Sequence, residues 1–311
     1  MPDVVITEFM DQSAVDNLSR RFDVLYSPDL VDRPKDLTEV LVDARAIIVR
    51  NRTQVGQELL DQAPNLLAVG RLGVGLDNID VTACERQQVK VYPATGANDI
   101  AVAEYVIAAA MLLARNAYGS TDQVIAGSWP RQNCMGQEIQ GQVLGLIGCG
   151  NIAQETAKRA KALGMSAIAY DPYVAADDSV WSEIGRIESM NELLGAADII
   201  SLHVPLTDDT RNLFDAAALS KVKKGALLIN TARGGIIDET ALTEAMRSGR
   251  VSGAAIDVFA DEPVDVNTGS KFSGIPNLLL TPHIAGVTEQ SNVRVSSMIA
   301  DKISNHLEGS K

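Results

Sequence analysis

The 311-residue sequence predicts an α/β protein with two doubly wound domains, each built on a parallel sheet. Short apolar runs rich in Val, Ile and Leu alternate with helical stretches along almost the whole chain, as is typical of parallel sheets covered by helices. A polar stretch at residues 118–140 interrupts this alternation, which then resumes. At about 150 residues per domain, the length also favours two domains.

The first part of the chain is predicted to contain four short strands and two helices. The strands are expected at residues 4–6, 23–26, 46–49 and 66–69, and the helices at residues 13–22 and 101–115. The second helix is rich in alanine and too apolar to lie alone on a surface. We therefore expect it to be buried against the rest of the fold.

The second part alternates more regularly. Strands are predicted at residues 143–147, 167–170, 198–202, 226–230, 253–258 and 278–280, and helices at residues 152–163, 190–194, 216–221 and 239–248. A last amphipathic helix, residues 289–307, falls outside this series. It must pack somewhere other than on the second sheet.

A glycine-rich loop joins the first strand and first helix of the second part. It has the pattern GxGxxA, in which two glycines allow a tight turn and a close approach of a pyrophosphate, and the helix N-terminus faces the anion. An acidic residue ends the next strand, where it can bind ribose hydroxyls and would repel a 2′-phosphate. The pattern predicts NAD, not NADP, bound through Gly148, Gly150, Asn151, Ile152 and Asp171.

Three chemically active side chains come just after later strands of the same series: Arg233, Glu262 and His283. Singly, they could be a surface charge, a loop acid and a residue at a helix start. Ligands, however, bind at the carboxyl ends of such strands, where the three converge in principle. An imidazole can take a hydroxyl proton, a carboxylate can fix its tautomer, and a guanidinium can bind a carboxylate. Beside a nicotinamide, this set predicts hydride transfer.

The sequence resembles the D-isomer-specific 2-hydroxyacid dehydrogenase family, which includes short phosphoglycerate dehydrogenases and hydroxypyruvate reductases. Besides the glycine loop, the resemblance rests on residues 70–80, 202–207, 230–238, 257–263 and 281–286. It implies a central Rossmann NAD domain, residues 98–286, inserted in a split flavodoxin-like substrate domain, residues 1–97 and 287–311. A C-terminal serine-sensing domain is expected to be absent.

The resemblance also implies roles for individual residues. Arg233, Glu262 and His283 would form the catalytic set, and Asp257 would bind the nicotinamide carboxamide. The backbone N–H groups of Val74 and Gly75 would bind the substrate carboxylate. Further cofactor contacts are implied for Val102, His203, Pro205 and Thr231. The family also implies a homodimer, with helix 101–115 as one of its elements.

Three arginines that follow strands of the first domain bear on the substrate: Arg50, Arg52 and Arg71. Each could be a solvated surface residue. In phosphoglycerate dehydrogenases, however, the matching first arginine of an Arg-x-Arg-Thr segment reaches the substrate phosphate. The resemblance therefore implies an acid with a second anionic group at C3, either 3-phosphoglycerate or 3-sulfolactate. Residues 92–98 depart from the pattern common in phosphoglycerate enzymes, which leaves room for sulfolactate.

Two other functions stay open at this point. One is a hydroxypyruvate or glyoxylate reductase, which shares the catalytic set. The other is an NAD-sensing corepressor, because such proteins retain the same Arg, Glu and His. The sequence lacks a long disordered tail and basic or peptide-recruiting extensions, which favours a metabolic enzyme. Formate dehydrogenase is disfavoured because it should carry Gln in place of Glu262.

The composition limits the partners. The chain has 27 Lys and Arg against 40 Asp and Glu, a net charge of −13, so nucleic acid and anionic membranes are not expected to bind. The acidity could serve solubility or reflect a high-salt habitat. Three widely spaced cysteines, with no signal peptide, indicate a reducing cytoplasm, and no metal site is expected. The expected partner is a small anionic 2-hydroxyacid or 2-oxoacid.

Overall fold

The computed structural model describes residues 2–116 and 118–309. Its first elements are β1 (Val4–Ile6), α1 (Gln12–Ser19), β2 (Val24–Tyr26), α2 (Pro34–Leu41), β3 (Ala46–Val49), α3 (Gln57–Asp61), β4 (Ala68–Arg71), α4 (Val81–Arg86), β5 (Lys90–Pro93), α5 (Asp99–Arg115) and α6 (Thr121–Ile125). They are followed by β6 (Val143–Ile147), α7 (Asn151–Ala162), β7 (Ser166–Tyr170), β8 (Gly185–Arg186), α8 (Met190–Ala196), β9 (Ile199–Leu202), α9 (Ala216–Lys221), β10 (Ala226–Asn230), α10 (Glu239–Arg247), β11 (Val251–Ile256), α11 (Val266–Gly269), β12 (Leu278–Leu280) and α12 (Glu289–Gly309). Short 3₁₀ turns lie at Leu30–Asp32, Tyr118–Ser120, Ser179–Ser182 and Ser270–Phe272.

The chain divides into two compact units. One comprises Met1–Asn98 and Val287–Lys311, and the other Asp99–Gly286. The split of the first unit is the one that the family resemblance implies, and Asn98 falls one residue from the expected boundary.

The first unit is a five-stranded parallel sheet in the order β2-β1-β3-β4-β5. This is the strand order of flavodoxin-like folds. Strands β1 and β3 are buried along their whole length, as expected for a sheet covered on both faces. Helices α1 and α12 cover one face, and α2, α3 and α4 cover the other. The last helix therefore packs on the first sheet, which explains why it lies outside the second series.

Four elements of the first unit were not predicted: α2, α3, α4 and β5. The three helices have eight, five and six residues, too short to form without tertiary packing. Each buries only one or two residues against the sheet, so its apolar pattern is weak. Strand β5 is partly exposed and ends in a proline, because it lies at the sheet edge.

The second unit is a seven-stranded parallel sheet in the order β12-β11-β10-β9-β6-β7-β8. Its first strand, β6, lies between β7 and β9, so the direction of the strand order reverses there. This is the Rossmann arrangement, in which ligands bind at the reversal point. Helices α5 and α7 cover one face and α8, α9 and α10 the other. The doubly wound parallel sheets predicted from the sequence are confirmed.

Helix α5 is buried as predicted. Nine of its 17 residues are buried, and it packs mainly on α7. In residues 2–116 and 118–309, no single helix is long and apolar enough to cross a membrane. Helix α5 and the segment Tyr118–Ile125, at 63° to each other, pass that test together by length and composition.

Candidate active site

The glycine loop leaves strand β6 and enters helix α7 at the reversal point of the second sheet. Gly148 has a φ of 91°, and a Cβ there would lie 2.6 Å from the carbonyl oxygen of His203, so only glycine fits. Gly150 is the N-cap of α7 and makes no side-chain cap; a Cβ there would meet no atom within 4 Å. Within residues 2–116 and 118–309, the first-turn N–H groups of Asn151 and Ile152 donate no hydrogen bond, which suits a pyrophosphate.

Asp171 follows strand β7 and ties the loop to it. Its Oδ2 accepts the N–H of Cys149 at 2.8 Å, and its Oδ1 accepts the N–H of Tyr173 at 2.9 Å. Each oxygen keeps a further lone pair, because a carboxylate has about four acceptor sites. The carboxylate is thus fixed in place with acceptor sites left over, and its contact with the ribose hydroxyls stays a prediction.

Several buried polar atoms lack a hydrogen-bond partner within the part of the chain that the structure describes. Nε2 of His203 and Oγ1 of Thr231 are among them. Buried polar groups are normally paired, so such atoms indicate a site for a polar ligand. Both residues were predicted to contact the cofactor, and a bound NAD would offer them donors and acceptors. The residues present therefore fit this cofactor.

The remaining predicted cofactor contacts differ in exposure. Burial lowers the pKa of His203 to about 4, so its imidazole is neutral at neutral pH. Pro205 is exposed, and its carbonyl oxygen accepts the Thr210 hydroxyl. Val102 on α5 is buried among the apolar residues beside the glycine loop, including Cys149. Their contacts with NAD stay predictions.

Arg233 stands in a tight turn after strand β10. The side chain of buried Asn230 fixes the turn, because its Nδ2 donates to the Arg233 carbonyl at 2.9 Å and its Oδ1 accepts the Ala232 N–H at 3.0 Å. A Cβ at Gly234 would overlap the Phe259 backbone. The Arg233 turn therefore packs directly on the loop that carries Glu262.

Glu262 and His283 form a hydrogen-bonded pair. Nδ1 of His283 lies 2.8 Å from Oε2 of Glu262, and Oε1 of Glu262 accepts the Phe259 N–H at 2.9 Å. Burial alone would raise the pKa of the Glu262 carboxyl, but these two hydrogen bonds and the charges of His283 and Arg233 lower it. An ionised carboxylate can only accept, so Nδ1 of His283 donates. Nε2 is then free to exchange a proton with a substrate hydroxyl.

Asp257 organises the turn that carries His283. Its Oδ1 accepts the Ile284 N–H at 2.8 Å and the Thr281 hydroxyl at 2.6 Å, and its Oδ2 accepts the Ala285 N–H at 2.8 Å. Its carbonyl oxygen accepts the N–H of His283, which has a φ of 54°. The family resemblance implies a contact of this carboxylate with the nicotinamide carboxamide. That contact stays a prediction, and the visible role of Asp257 is to hold the turn.

The predicted substrate residues all lie in the first unit, in the loop after β3, at the end of β4 and in the loop after β4. The guanidinium of Arg50 donates to Oδ1 of Asn292 at 2.6 Å, whereas Arg52 is exposed and forms an ion pair with Asp32. Arg71 donates to the Leu72 carbonyl at 3.0 Å. Arg50 is held by a neutral side chain, whereas Arg52 has its own counter-ion.

The N–H groups proposed to bind the substrate carboxylate belong to Val74 and Gly75. Within residues 2–116 and 118–309, neither N–H donates a hydrogen bond. Adjacent N–H groups without acceptors suit an anion. Their predicted role is therefore compatible with the loop that carries them.

Sequence reasoning missed several residues that shape these loops. The hydroxyl of Tyr105 on α5 is 2.6 Å from Oγ1 of Thr281, which continues the chain of hydrogen bonds to Asp257. Burial raises the pKa of Tyr105. In the first unit, Glu8 and Asn292 support the loop after β3. Thr281 lies in the motif at residues 281–286 but was given no role, and Tyr105, Glu8 and Asn292 belong to no recognisable motif. Each of the four acts through a contact between segments that are distant in sequence.

Comparison with known proteins agrees with this geometry. The family model described as "D-isomer specific 2-hydroxyacid dehydrogenase, NAD binding domain" matches residues 107–285. The chain is similar to a (S)-sulfolactate dehydrogenase of Chromohalobacter salexigens, with 52% identity over 97% of both chains. It is 36% identical to a D-3-phosphoglycerate dehydrogenase of Methanocaldococcus jannaschii over 99% of this chain but only 58% of the relative. It is 35% identical to a hydroxypyruvate reductase of Thermotoga maritima over 98% of both.

Solved structures are similar along almost the whole chain. A glyoxylate reductase from Paecilomyes thermophila has a TM-score of 0.88 and 26% identity, and covers 99% of this chain and 96% of its own. An NAD complex of formate dehydrogenase from Staphylococcus aureus has a TM-score of 0.83 and 27% identity, with 99% and 96% covered. Fold, glycine loop and family match together establish that the chain belongs to the NAD-dependent D-isomer specific 2-hydroxyacid dehydrogenases.

Proposed function

We propose that the protein interconverts a 2-hydroxyacid with a second anionic group at C3 and its 2-oxoacid, with 3-sulfolactate ahead of 3-phosphoglycerate as the preferred substrate. The single observation that carries the C3 group is Arg50. Its guanidinium is oriented by neutral groups, the Asn292 amide and the Phe9 carbonyl, and therefore keeps its charge for a ligand. The relative with 52% identity, named for sulfolactate, supports the same choice.

The stereochemical label of that relative is compatible with a D-isomer family. In sulfolactate, the sulfur on C3 outranks the carboxylate in the priority rules. The arrangement that is D in lactate is therefore written (S) in sulfolactate. The same orientation of C2 toward hydride and base serves both descriptions.

The mechanism uses the residues of the second unit as an acid–base and charge set. Bound NAD supplies the hydride acceptor for C2. The imidazole of His283 takes the C2 hydroxyl proton on Nε2, while Glu262 keeps Nδ1 as the donor and stabilises the imidazolium that forms. The Arg233 guanidinium binds the carboxylate and polarises the C2 oxygen in the reverse direction. The free N–H groups of Val74 and Gly75 bind the substrate carboxylate.

A parallel steady-state panel tests this function. The substrates are 3-sulfolactate, 3-phosphoglycerate and D-lactate with NAD, and hydroxypyruvate and glyoxylate with NADH. We expect 3-sulfolactate to have the highest kcat/KM, at least about tenfold above D-lactate, since one well-placed charge contact contributes about 1.4 kcal/mol or more. If any of D-lactate, hydroxypyruvate and glyoxylate exceeds both C3-anionic acids, the proposal is wrong. If hydroxypyruvate or glyoxylate has the highest kcat/KM, the reductase alternative is the function.

We also propose a homodimer in the cytoplasm. The segment from Tyr118 to Met135 exposes large apolar side chains: Tyr118 at 66%, Val124 at 46%, Ile125 at 79%, Trp129 at 75% and Met135 at 78%. Such a concentration of exposed apolar groups is typical of a protein interface. Three free cysteines support a reducing compartment.

A further inference from the structure

The loop that carries Arg50 is built around one buried carboxylate. Glu8, only 5% exposed, accepts four consecutive backbone N–H groups, those of residues 50, 51, 52 and 53, at 2.9, 3.3, 3.1 and 3.0 Å. Burial acts to raise the pKa of Glu8, but these hydrogen bonds lower it, so the carboxylate stays ionised. The backbone from which Arg50 projects is therefore fixed.

The opposite side of the loop is fixed as well. The hydroxyls of Thr7 and Thr53 are 2.8 Å apart, and Nδ2 of Asn78 donates to the Thr53 carbonyl at 2.7 Å. All three residues are buried. Because the backbone is fixed here, only the side-chain torsions of Arg50 can vary.

The Arg50 side chain is itself oriented by two neighbours. Its Nη2 donates to Oδ1 of Asn292 on α12 at 2.6 Å, its Nη1 donates to the Phe9 carbonyl at 3.5 Å, and its Cζ lies 5.8 Å from the centre of the Phe9 ring. Both hydrogen-bond partners are uncharged. The Glu8 carboxylate acts on the guanidinium through space, but its oxygens are occupied by the backbone.

We propose that Asn292 is a specificity-determining positioning residue, whose neutral amide orients Arg50 without cancelling the charge that receives the C3 anion. This inference rests on the proposed function. A carboxylate at position 292 would satisfy the same geometry, but it would pair with the guanidinium and compete with a sulfonate or phosphate. Arg52, with Asp32 as its counter-ion, is the contrasting case in the same loop.

The test is the variant Asn292→Asp, with Asn305→Asp as its matched control. Asn305 lies on the same helix, is exposed, and undergoes the same change of charge. The substrates are the C3-anionic acid that the wild type prefers and D-lactate, which shares C1 and C2 but has no C3 anion. For Asn292→Asp we expect the KM for the C3-anionic acid to rise about tenfold, while the kcat for that acid stays within about twofold of the wild-type value. The KM and kcat for D-lactate should also stay within about twofold of the wild type. Asn305→Asp should match the wild type.

A second variant separates charge from packing. Asn292→Ser removes the acceptor without adding charge, so it should raise the same KM by only about threefold. An Asp effect no larger than the Ser effect overturns the inference, as does an equal loss on both substrates, which would indicate a merely structural role. If the wild type does not prefer a C3-anionic acid over D-lactate, the proposed function fails at that step and the inference falls with it.

Discussion

At the residue scale, Glu262 and His283 show how two ordinary side chains become an acid–base pair. Their hydrogen bond of 2.8 Å fixes which imidazole nitrogen carries the proton, and the lowered pKa of Glu262 keeps the carboxylate ionised at neutral pH. Both residues were identified from the sequence because they follow strands that end at one sheet edge. The left-handed backbone of His283 could not be predicted, because it depends on Asp257, 26 residues away.

We expect His283→Ala and Glu262→Gln to lower kcat with little change in NADH affinity. Loss of the base should cost about 10²–10⁴-fold, and loss of the orienting carboxylate about tenfold or more. Turnover and a fluorescence titration with NADH measure the two quantities. The control is Asp261→Asn, an exposed acid beside Glu262. Near-normal kcat in either variant would contradict the assignment.

The lowered pKa of His203 predicts how the free energy of unfolding depends on pH. Its folded pKa is about 4, whereas the unfolded value is about 6.5, so between these values the unfolded chain binds a proton that the folded chain does not. Stability therefore falls as the pH falls, by about 2 kcal/mol at pH 5 relative to pH 7. His203→Gln should remove this part of the pH dependence.

Urea unfolding at the two pH values measures that effect. The sequence has two tryptophans, Trp129 and Trp181, and both lie in the second unit, so their fluorescence reports on the unit that holds His203. The same loss of stability in wild type and variant between pH 7 and pH 5 would show that His203 is not buried in its neutral form.

At the scale of elements, strands β10, β11 and β12 run parallel and place the turns of Arg233, Asp257 and His283 side by side. Apolar strand patterns predicted this arrangement, because they report directly on burial. The short helices α2, α3 and α4 were missed, because tertiary packing, and not their own sequence, stabilises them. What could not be predicted is the set of hydrogen bonds between loops, such as the chain from Tyr105 through Thr281 to Asp257.

The turn after β12 should depend on Asp257. In Asp257→Asn, an amide N–H would face a backbone N–H of Ile284 or Ala285, leaving a buried donor without an acceptor. We expect the free energy of unfolding to fall by about 2 kcal/mol and kcat to fall as His283 loses its orientation. Urea unfolding and turnover are the measurements, again with Asp261→Asn as the control. Unchanged stability would show that the turn is held by other contacts.

At the scale of the whole molecule, the net charge of −13 and the anionic substrate are reconciled by local placement. Long-range repulsion is screened within about 8 Å at physiological ionic strength. The attraction between an anionic substrate and a guanidinium at contact distance is therefore stronger than the repulsion from the net charge of the surface. Composition predicts which classes of macromolecule are excluded, whereas the choice among small anions depends on the few basic side chains that the strand ends position.

The exposed apolar segment from Tyr118 to Met135 leads to a prediction about the oligomeric state. If it forms the dimer interface, Ile125→Lys would bury an unpaired charge there, which costs several kcal/mol and should shift the protein from dimer to monomer. Val266→Lys is the matched control, because Val266 is an apolar residue on α11 that is 89% exposed. Light scattering after size-exclusion chromatography should give twice the chain mass for the wild type and for Val266→Lys, and the chain mass for Ile125→Lys. A dimeric Ile125→Lys would place the interface elsewhere, and a monomeric wild type would exclude the dimer itself.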